Sequence, residues 1–436
     1  MTTRKKLLLG AGVVLAVFLA AGAVFALTRP PQDVSNPDVA FEEEPTVTPV
    51  PTEIPEEPEK GSKQKDPLEN FVWGTYGYSK DRRKFMPASK LLRPPFWRVW
   101  SYTGSILLEF PPVMAEGKLF LLKNNAALHA INKRTGKAVW KRKLGILAAA
   151  SPTYGNGRIF LPILSRGKNK PGAVYALDAK TGKILWKRLL PSRSESSPIF
   201  DNDRIYLGSE NGTVYSIRAG DGAVRWKFQA SGAVKSGLAL ADGKLYFGDY
   251  SGRVYAIRQT DGGEVWNTGT KGGAFGLKSG TFYSTPAVAN GRVFVGNTDG
   301  RMYSFSSANG KLAWTKGTGS YVYSSPAVAP GPGGRPTVFF GSYDGRFYAV
   351  DARTGEQKWD YRDGGKISGG ATVIGDIVYF SNYGKKSTTG LGVNTGRKVF
   401  TMGRGAFNPV ISDGRTIFLT GYSSLYALRP QKRKDE

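Results

Sequence analysis

The chain has no cysteine and a single histidine among its 436 residues. The first absence excludes disulfides, thiolate metal sites, thiol redox chemistry and a cysteine nucleophile. The second excludes any paired-histidine metal motif. No G-x-S-x-G elbow and no phosphate-binding P-loop occurs either. Acidic residues are scarce: 34 Asp and Glu stand against 61 Lys and Arg, a net charge of +27. What is abundant is glycine, at 56 residues, together with 9 Trp, 21 Tyr and 23 Phe. That combination points to many short strands joined by tight turns rather than to a helical protein.

Only one apolar run is long. Residues 7–27 carry no charge over 21 positions, close to the ~20 needed to cross ~30 Å of hydrocarbon. A basic tail, 1–6, holds Arg4, Lys5 and Lys6, which the positive-inside bias keeps cytoplasmic. The expectation is one transmembrane signal-anchor helix in the cell membrane, single-pass, with the rest of the chain extracytoplasmic. Cleavage after Ala21-Gly22-Ala23 is the alternative.

Residues 28–66 reverse the charge. Between Pro30 and Glu59 lie 8 Pro and 9 acidic residues with no Lys or Arg. This composition favours a disordered, self-repelling spacer over a segment that folds back onto its own domain. The total charge divides into +3 for 1–27, −6 for 28–66 and +30 for 67–436. The globular part is therefore more basic than the whole chain suggests.

From Trp100 onward the sequence repeats. Trp100, Trp140, Trp186, Trp226, Trp266, Trp314, Trp359 and Phe400 recur at spacings of 40, 46, 40, 40, 48, 45 and 41. The clearest copies read AINKRTGKAVW, ALDAKTGKILW and AVDARTGEQKW, ending at Trp140, Trp186 and Trp359. Each period holds four short apolar segments separated by Asn-Gly or Asp-Gly, dipeptides that suit the positive φ of tight hairpin turns. Four antiparallel strands per unit predict a propeller of eight blades. The last unit ends without a fourth strand, and a spare fourth-type strand, 97–102, stands before the first. The N-terminal strand is therefore expected to close the ring and remove a free sheet edge.

The motif A-x-D-x-x-T-G-x-x-x-W resembles the tryptophan-docking motif of the quinoprotein-like, PQQ-repeat propellers, over 97–436. That family contains PQQ-dependent dehydrogenases and non-enzymatic envelope-assembly propellers of the BamB type. The resemblance implies an all-β, eight-bladed ring. Residues 67–96, with Trp73, Gly77 and Pro94-Pro95-Phe96, resemble the lead-in that precedes the ring, and Trp73 is expected to cap the outside of the propeller. The motif residues themselves read as structural. Asp178, Asp351 and Asn132 cap the turn, the tyrosines at Tyr175 and its equivalents pack the blades, and His129 occupies the same packed position.

For an enzymatic member the resemblance implies a quinone in the channel beneath a vicinal disulfide, a Trp floor and a Ca²⁺ ion held by acidic and amide groups. Here cysteine is absent, and the tryptophans are taken by docking positions or the lead-in. The expectation is therefore no cofactor, no metal and no catalytic residue. A PQQ- and Ca²⁺-dependent quinoprotein dehydrogenase is the alternative. In this family the loops from each fourth strand into the next first strand surround the channel mouth. They hold Arg193, Glu195, Lys235, Lys278, Tyr321, Tyr323, Lys366, Arg404 and Phe407, a mixture of cations and aromatics suited to an anionic, sugar-bearing or peptide ligand. The expected role is a monomeric binding scaffold for an envelope protein or anionic wall polymer, with no nucleic acid partner.

Overall fold

The computed structural model describes residues 33–44, 51–59, 64–167, 170–270 and 280–431. The charge-free run 7–27 lies outside these. Among the described residues no helix is long and apolar enough to cross a membrane.

Among the same residues the strands form eight sheets. Blade 1 is built from Val113–Ala115, Lys118–Leu122, Ala127–Asn132 and Ala138–Lys143, all antiparallel in sequence order. Blades 2 to 7 repeat that order, starting at Thr153, Ile199, Ala239, Ala287, Ala327 and Thr372. Blade 8 takes three strands from 410–430. Its fourth is Phe96–Tyr102, which pairs antiparallel with Leu425–Pro430. The ring closes as the repeat count predicts.

The blades touch through apolar side chains that alternate along each strand. Phe160, Val174 and Ala176 of blade 2, for example, meet Ile205, Leu207 and Tyr215 of blade 3. The outer rim is held differently. Each docking Trp sends its indole N–H to a backbone carbonyl in the next blade: Trp100 to Lys133 (3.1 Å), Trp140 to Ala179 (3.2 Å), Trp186 to Ala219 (2.8 Å) and Trp226 to Gln259 (3.1 Å). Trp266, Trp314 and Trp359 do the same to Ser307, Ala352 and Val393 at 3.0, 2.9 and 2.9 Å. The ring lies flat over the motif glycine of that neighbour. A Cβ on Gly355 would stand 2.7 Å from Trp314, and Gly355 also has φ 76°, so only glycine fits. Asp178 accepts from the amide and hydroxyl of Thr181, both at 2.7 Å, and so locks the turn the indole rests on.

Phe400 breaks the series for a topological reason. Blade 8 has no turn between its third and fourth strands, because the fourth comes from the other end of the chain. The motif glycine on which an indole would lie has no counterpart in 431–436, and a plain phenyl ring packs on Phe96 at 5.5 Å. At the next seam, between blades 8 and 1, the hydroxyl of Tyr102 meets His129 Nδ1 at 2.7 Å. Burial, reinforced by Lys123 and Lys141, pulls this imidazole down to about 4, so it is neutral at physiological pH.

Two expectations are corrected. Trp73 does not cap the outside of the propeller. It is buried and bridges Met114 on the innermost strand of blade 1, with each backbone N–H bonded to the other's carbonyl at 2.8 Å. From there the lead-in runs round the central channel. Successive carbonyls of Gly74, Lys80, Asp81, Arg83 and Lys84 accept from inner-strand amides of blades 2, 4, 5, 6 and 7. Phe85–Met86 then adds a parallel strand to blade 7. Inner-strand amides are unpaired on the axis side, and the lead-in is the segment that satisfies them.

The acidic linker is the second correction. Its described parts, 33–44 and 51–59, lie on the propeller rather than forming a free spacer. Val34–Ser35 makes a fifth strand on the outer edge of blade 5. Glu57 pairs with Arg134 (3.0 Å) and Arg429 (2.6 Å), and buried Asp66 pairs with Arg415 (2.9 Å). The self-repulsion argument counted only the linker's own charge. The domain supplies the counter-ions, and Val39, Phe41 and Ile54 supply apolar anchors.

Trp314→Phe should lower stability by about 1 kcal/mol, the worth of one hydrogen bond, and Trp314→Ala by roughly 3–5 kcal/mol. Phe400→Trp should bring no gain, for want of the motif turn on which an indole lies. Denaturant midpoints followed by circular dichroism test this, and a stabilised Phe400→Trp would refute the topological explanation.

Candidate functional site

The channel is a product of register. A proline or small apolar residue precedes each first strand: Pro112, Pro152, Pro198, Leu238, Pro286, Pro326, Ala371 and Pro409. Three positions before it stand Glu109, Glu195, Lys235, Tyr283, Tyr323 and Ser368, and all six line one cavity of about 70 Å³ at the channel mouth. One position before it stand Ser197, Gly237, Thr285, Ser325, Gly370 and Asn408, which line the same cavity. These are small or hydrogen-bonding because blades crowd near the axis. Several bond across to the next blade: Gly237 N to Thr285 Oγ1 (3.0 Å), Thr285 N to Ser325 Oγ (3.0 Å) and Gly370 N to Asn408 Oδ1 (3.1 Å).

The lead-in supplies the floor. The Tyr76 hydroxyl donates to Asn408 Oδ1 at 2.9 Å, and burial pushes its pKa up to about 12. Arg82, wholly buried, donates to Leu238 O (2.8 Å), Thr75 Oγ1 (2.7 Å) and Ser197 O (3.1 Å). The ammonium of Lys84 sits 4.8 Å from the centre of the Tyr76 ring, and burial followed by the Arg82 charge lowers its pKa well below the ordinary lysine range.

The wall is electrostatically coupled. Arg193 grips Glu210 with two bonds of 2.7 Å and reaches Glu195 at 3.4 Å. Lys235 pairs with Glu210 at 2.9 Å and with Glu195 at 3.2 Å. Burial would raise the Glu210 pKa, but hydrogen bonds from Arg193 and Lys235 hold it at about 2. Burial dominates at Glu195 and pushes it up. Among the described residues no cation forms an ion pair with Glu109. Burial, then the charge of Glu195, raises its carboxyl to about 7 against the bond from Asn124. Ser236 Oγ, also in the cavity wall, is buried without a hydrogen-bond partner among the described residues.

Around the mouth the surface alternates aromatics and cations. Tyr321 is half exposed and meets Tyr323 at 5.8 Å and Tyr343 at 6.2 Å. Lys366 Nζ lies 5.5 Å over the Tyr343 ring, and Phe407 lies 5.2 Å from the exposed Tyr383. Lys386 sits 5.0 Å over exposed Tyr422.

Of the residues expected at the mouth, Glu195, Lys235, Tyr323 and Phe407 line the cavity, and Arg193 stands directly behind it. Tyr321 and Lys366 form its rim. Arg404 does not line the cavity; its guanidinium bonds the carbonyl of neighbouring Gly403. Lys278 lies outside the described residues. Glu109, Tyr283, Ser236 and Asn408 were missed. The proline register would have found Glu109 and Tyr283, since each stands three residues before its proline, as Glu195 does.

This arrangement does not fit the quinone site that the resemblance implies for enzymatic members. A cavity of about 70 Å³ holds a handful of waters. Two of its nearest carboxylates, Glu195 and Glu210, are committed to Arg193 and Lys235. Among the described residues no group of three or more His, Asp or Glu side chains could hold a metal ion.

The fold and its docking motif define a PQQ-repeat, eight-bladed propeller. The family described as outer membrane protein assembly factor BamB matches residues 94–233, 163–267 and 210–435, and the chain belongs to that family. No curated protein matches it in sequence. Among solved structures, BamB from Moraxella catarrhalis superposes with a TM-score of 0.63 at 16% identity, covering 78% of this chain and 99% of that one. The quinohemoprotein alcohol dehydrogenase of Comamonas testosteroni gives 0.66 at 14% identity, covering 84% and 82%. A europium-containing methanol dehydrogenase gives 0.67 at 12% identity, covering 82% and 98%. At these identities the likeness is one of fold.

Glu109 gives a pH test. Its folded pKa of about 7 lies above the ordinary 4.5, so the folded state binds the proton more tightly. This carboxyl therefore subtracts stability as pH rises through that window. Glu109→Gln should recover on the order of 1–2 kcal/mol at pH 8 and little at pH 4, after allowance for screening. Denaturation midpoints of both proteins from pH 4 to 8 decide it, and parallel profiles would refute the assignment.

Proposed function

We propose that the protein is a membrane-tethered, extracytoplasmic and non-catalytic scaffold that binds envelope proteins or anionic polymers through the channel mouth. The observation that carries this reading is the filled channel. The lead-in occupies one side, ion pairs occupy the other, and what remains exposed is a rim of tyrosines and lysines. Such a rim is built for contact: the rings offer rigid amphipathic area and the cations offer long-range attraction to anionic partners. The +30 charge of 67–436 suits the same partners. Tethering rests on the charge-free run 7–27, and family membership supports an envelope role by analogy. The chain acts as a monomer in this reading, since the ring leaves no blade edge at its closure. A nucleic acid partner would suit the charge but not the location.

The test has two arms on the full chain in detergent. Titration with PQQ plus Ca²⁺, followed by visible absorption, should show no saturable binding. Cross-linking in isolated envelopes, or titration with polyglycerol phosphate, should show a complex that the double substitution Tyr321→Ala and Lys366→Glu weakens at least tenfold. Micromolar, Ca²⁺-dependent PQQ binding would overturn the proposal in favour of a quinoprotein dehydrogenase.

A further inference from the structure

The way residues 33–44 sit on the ring marks a second site, on the outer edge of blade 5 and the cleft beside it. Outer strands of most blades protect their free edge with charged or bulky residues beside the docking Trp: Val139 and Lys141, Leu185 and Lys187, Arg225 and Lys227. Blade 5 has Ala313 and Thr315 there, both small, and residues 33–44 cover them. Its edge is open to strand addition. Val34 and Ser35 pair with Thr315 and Trp314, and Asn36 extends the contact through N to Ala313 O and Nδ2 to Leu312 O, both 2.7 Å.

Beyond this strand the segment enters a cleft between blades 5 and 6. Arg292 is 1% exposed. Its Nε donates to the carbonyl of Ala40 at 2.7 Å and its Nη2 to that of Val39. Among the described residues no carboxylate pairs with it, so this buried cation reads main-chain carbonyls. The Phe41 ring is met by two guanidinium groups, 5.8 Å from Arg292 and 5.0 Å from Arg353. Val39 and Phe41 also pack on the apolar cluster around Trp314 and Val350. Asn290 then exchanges bonds with Glu42 at 3.1 and 3.0 Å, and its amide donates to Glu44 at 2.6 Å. Glu43 pairs with Arg353, and Glu44 with Arg83.

We propose that this cleft is a docking site for an extended acidic peptide of a partner protein, with a β-strand segment, then an apolar-x-aromatic pair, then glutamates. Residues 33–44 are its resident occupant and hold it by intramolecular competition. The recognition elements are generic to such a peptide. The edge of blade 5 and Arg292 bind backbone, which any extended chain offers. The two guanidinium groups take one aromatic ring. Arg83 and Arg353 take acidic side chains. The exposed pair Glu43–Arg353 adds little by itself, so the hold resides in the backbone bonds and Phe41. A tethered occupant at millimolar effective concentration raises the threshold a partner must overcome. The proposal deepens the scaffold reading and rests on it for the existence of a protein partner, though not for the cleft.

The probe is a fluorescent synthetic peptide with the sequence of residues 33–44, titrated by anisotropy into the full chain. The double variant Phe41→Ala, Glu44→Gln loosens the resident segment and should bind the peptide with micromolar affinity. The natural chain should bind it at least tenfold more weakly. Adding Arg292→Ala to the double variant should abolish binding. A peptide carrying alanine in place of its phenylalanine should bind the double variant at least tenfold more weakly, a comparison made on one folded protein. No binding to the double variant, or equal binding of the two peptides, would overturn the proposal. Either failure would leave the channel-mouth experiments above unaffected, and those alone decide the scaffold reading.

Discussion

The indole laid across the neighbouring blade's turn is the interaction on which this ring depends. A propeller blade is a small sheet with two apolar faces, and apolar contact alone does not fix how it rotates against its neighbour. The tryptophan adds direction: one N–H aimed at one carbonyl, with the ring seated on a glycine that tolerates no Cβ. Seven such contacts set the angle of seven seams. The eighth seam shows what the motif requires, because the chain break at blade 8 removes the turn with its glycine and Phe400 stands where the other blades have an indole.

Near the axis the constraint changes from orientation to space. First strands crowd together, so serine, threonine and glycine precede them and trade hydrogen bonds across the blades. The inner strands still present unpaired amides toward the channel. The lead-in satisfies these amides and lies along the channel wall in doing so. The ring's interior is thus spent on its own backbone, and contact with other molecules is left to the mouth and the rim.

Charge organises the outside. An acidic linker beside a strongly basic domain docks on it rather than repelling itself into a stalk. The pairs differ in kind. Asp66 and Arg415 are both buried and bonded by two parallel contacts of 2.9 and 3.0 Å, which also hold the Asp66 pKa at about 2 despite its burial. That pair anchors the linker's end beside blade 8. The pair of Asp33 with Lys316 (3.0 Å) and that of Glu43 with Arg353 are more exposed, so they steer more than they hold.

The sequence by itself determined the repeat, the number of blades, the closing strand and the structural role of the docking motif. All of these follow from local periodicity, since each unit repeats the same strand lengths, turn dipeptides and Trp-to-Gly spacing. It also located part of the mouth, because loops between fourth and first strands must reach the axis. Tertiary structure alone decided where the non-repeating residues go. Trp73 sits in the channel because unpaired inner-strand amides recruit the lead-in, a demand that exists only once eight strands converge. Residues 33–44 lie on blade 5 because Ala313 and Thr315 leave that edge open and Arg292 faces it. Glu109 acquires its raised pKa because the closed ring buries it and because Glu195, from another blade and 86 positions away in the chain, stands across the same cavity. Periodic order is written in short-range pattern, whereas these contacts join residues whose only relation is the closed ring.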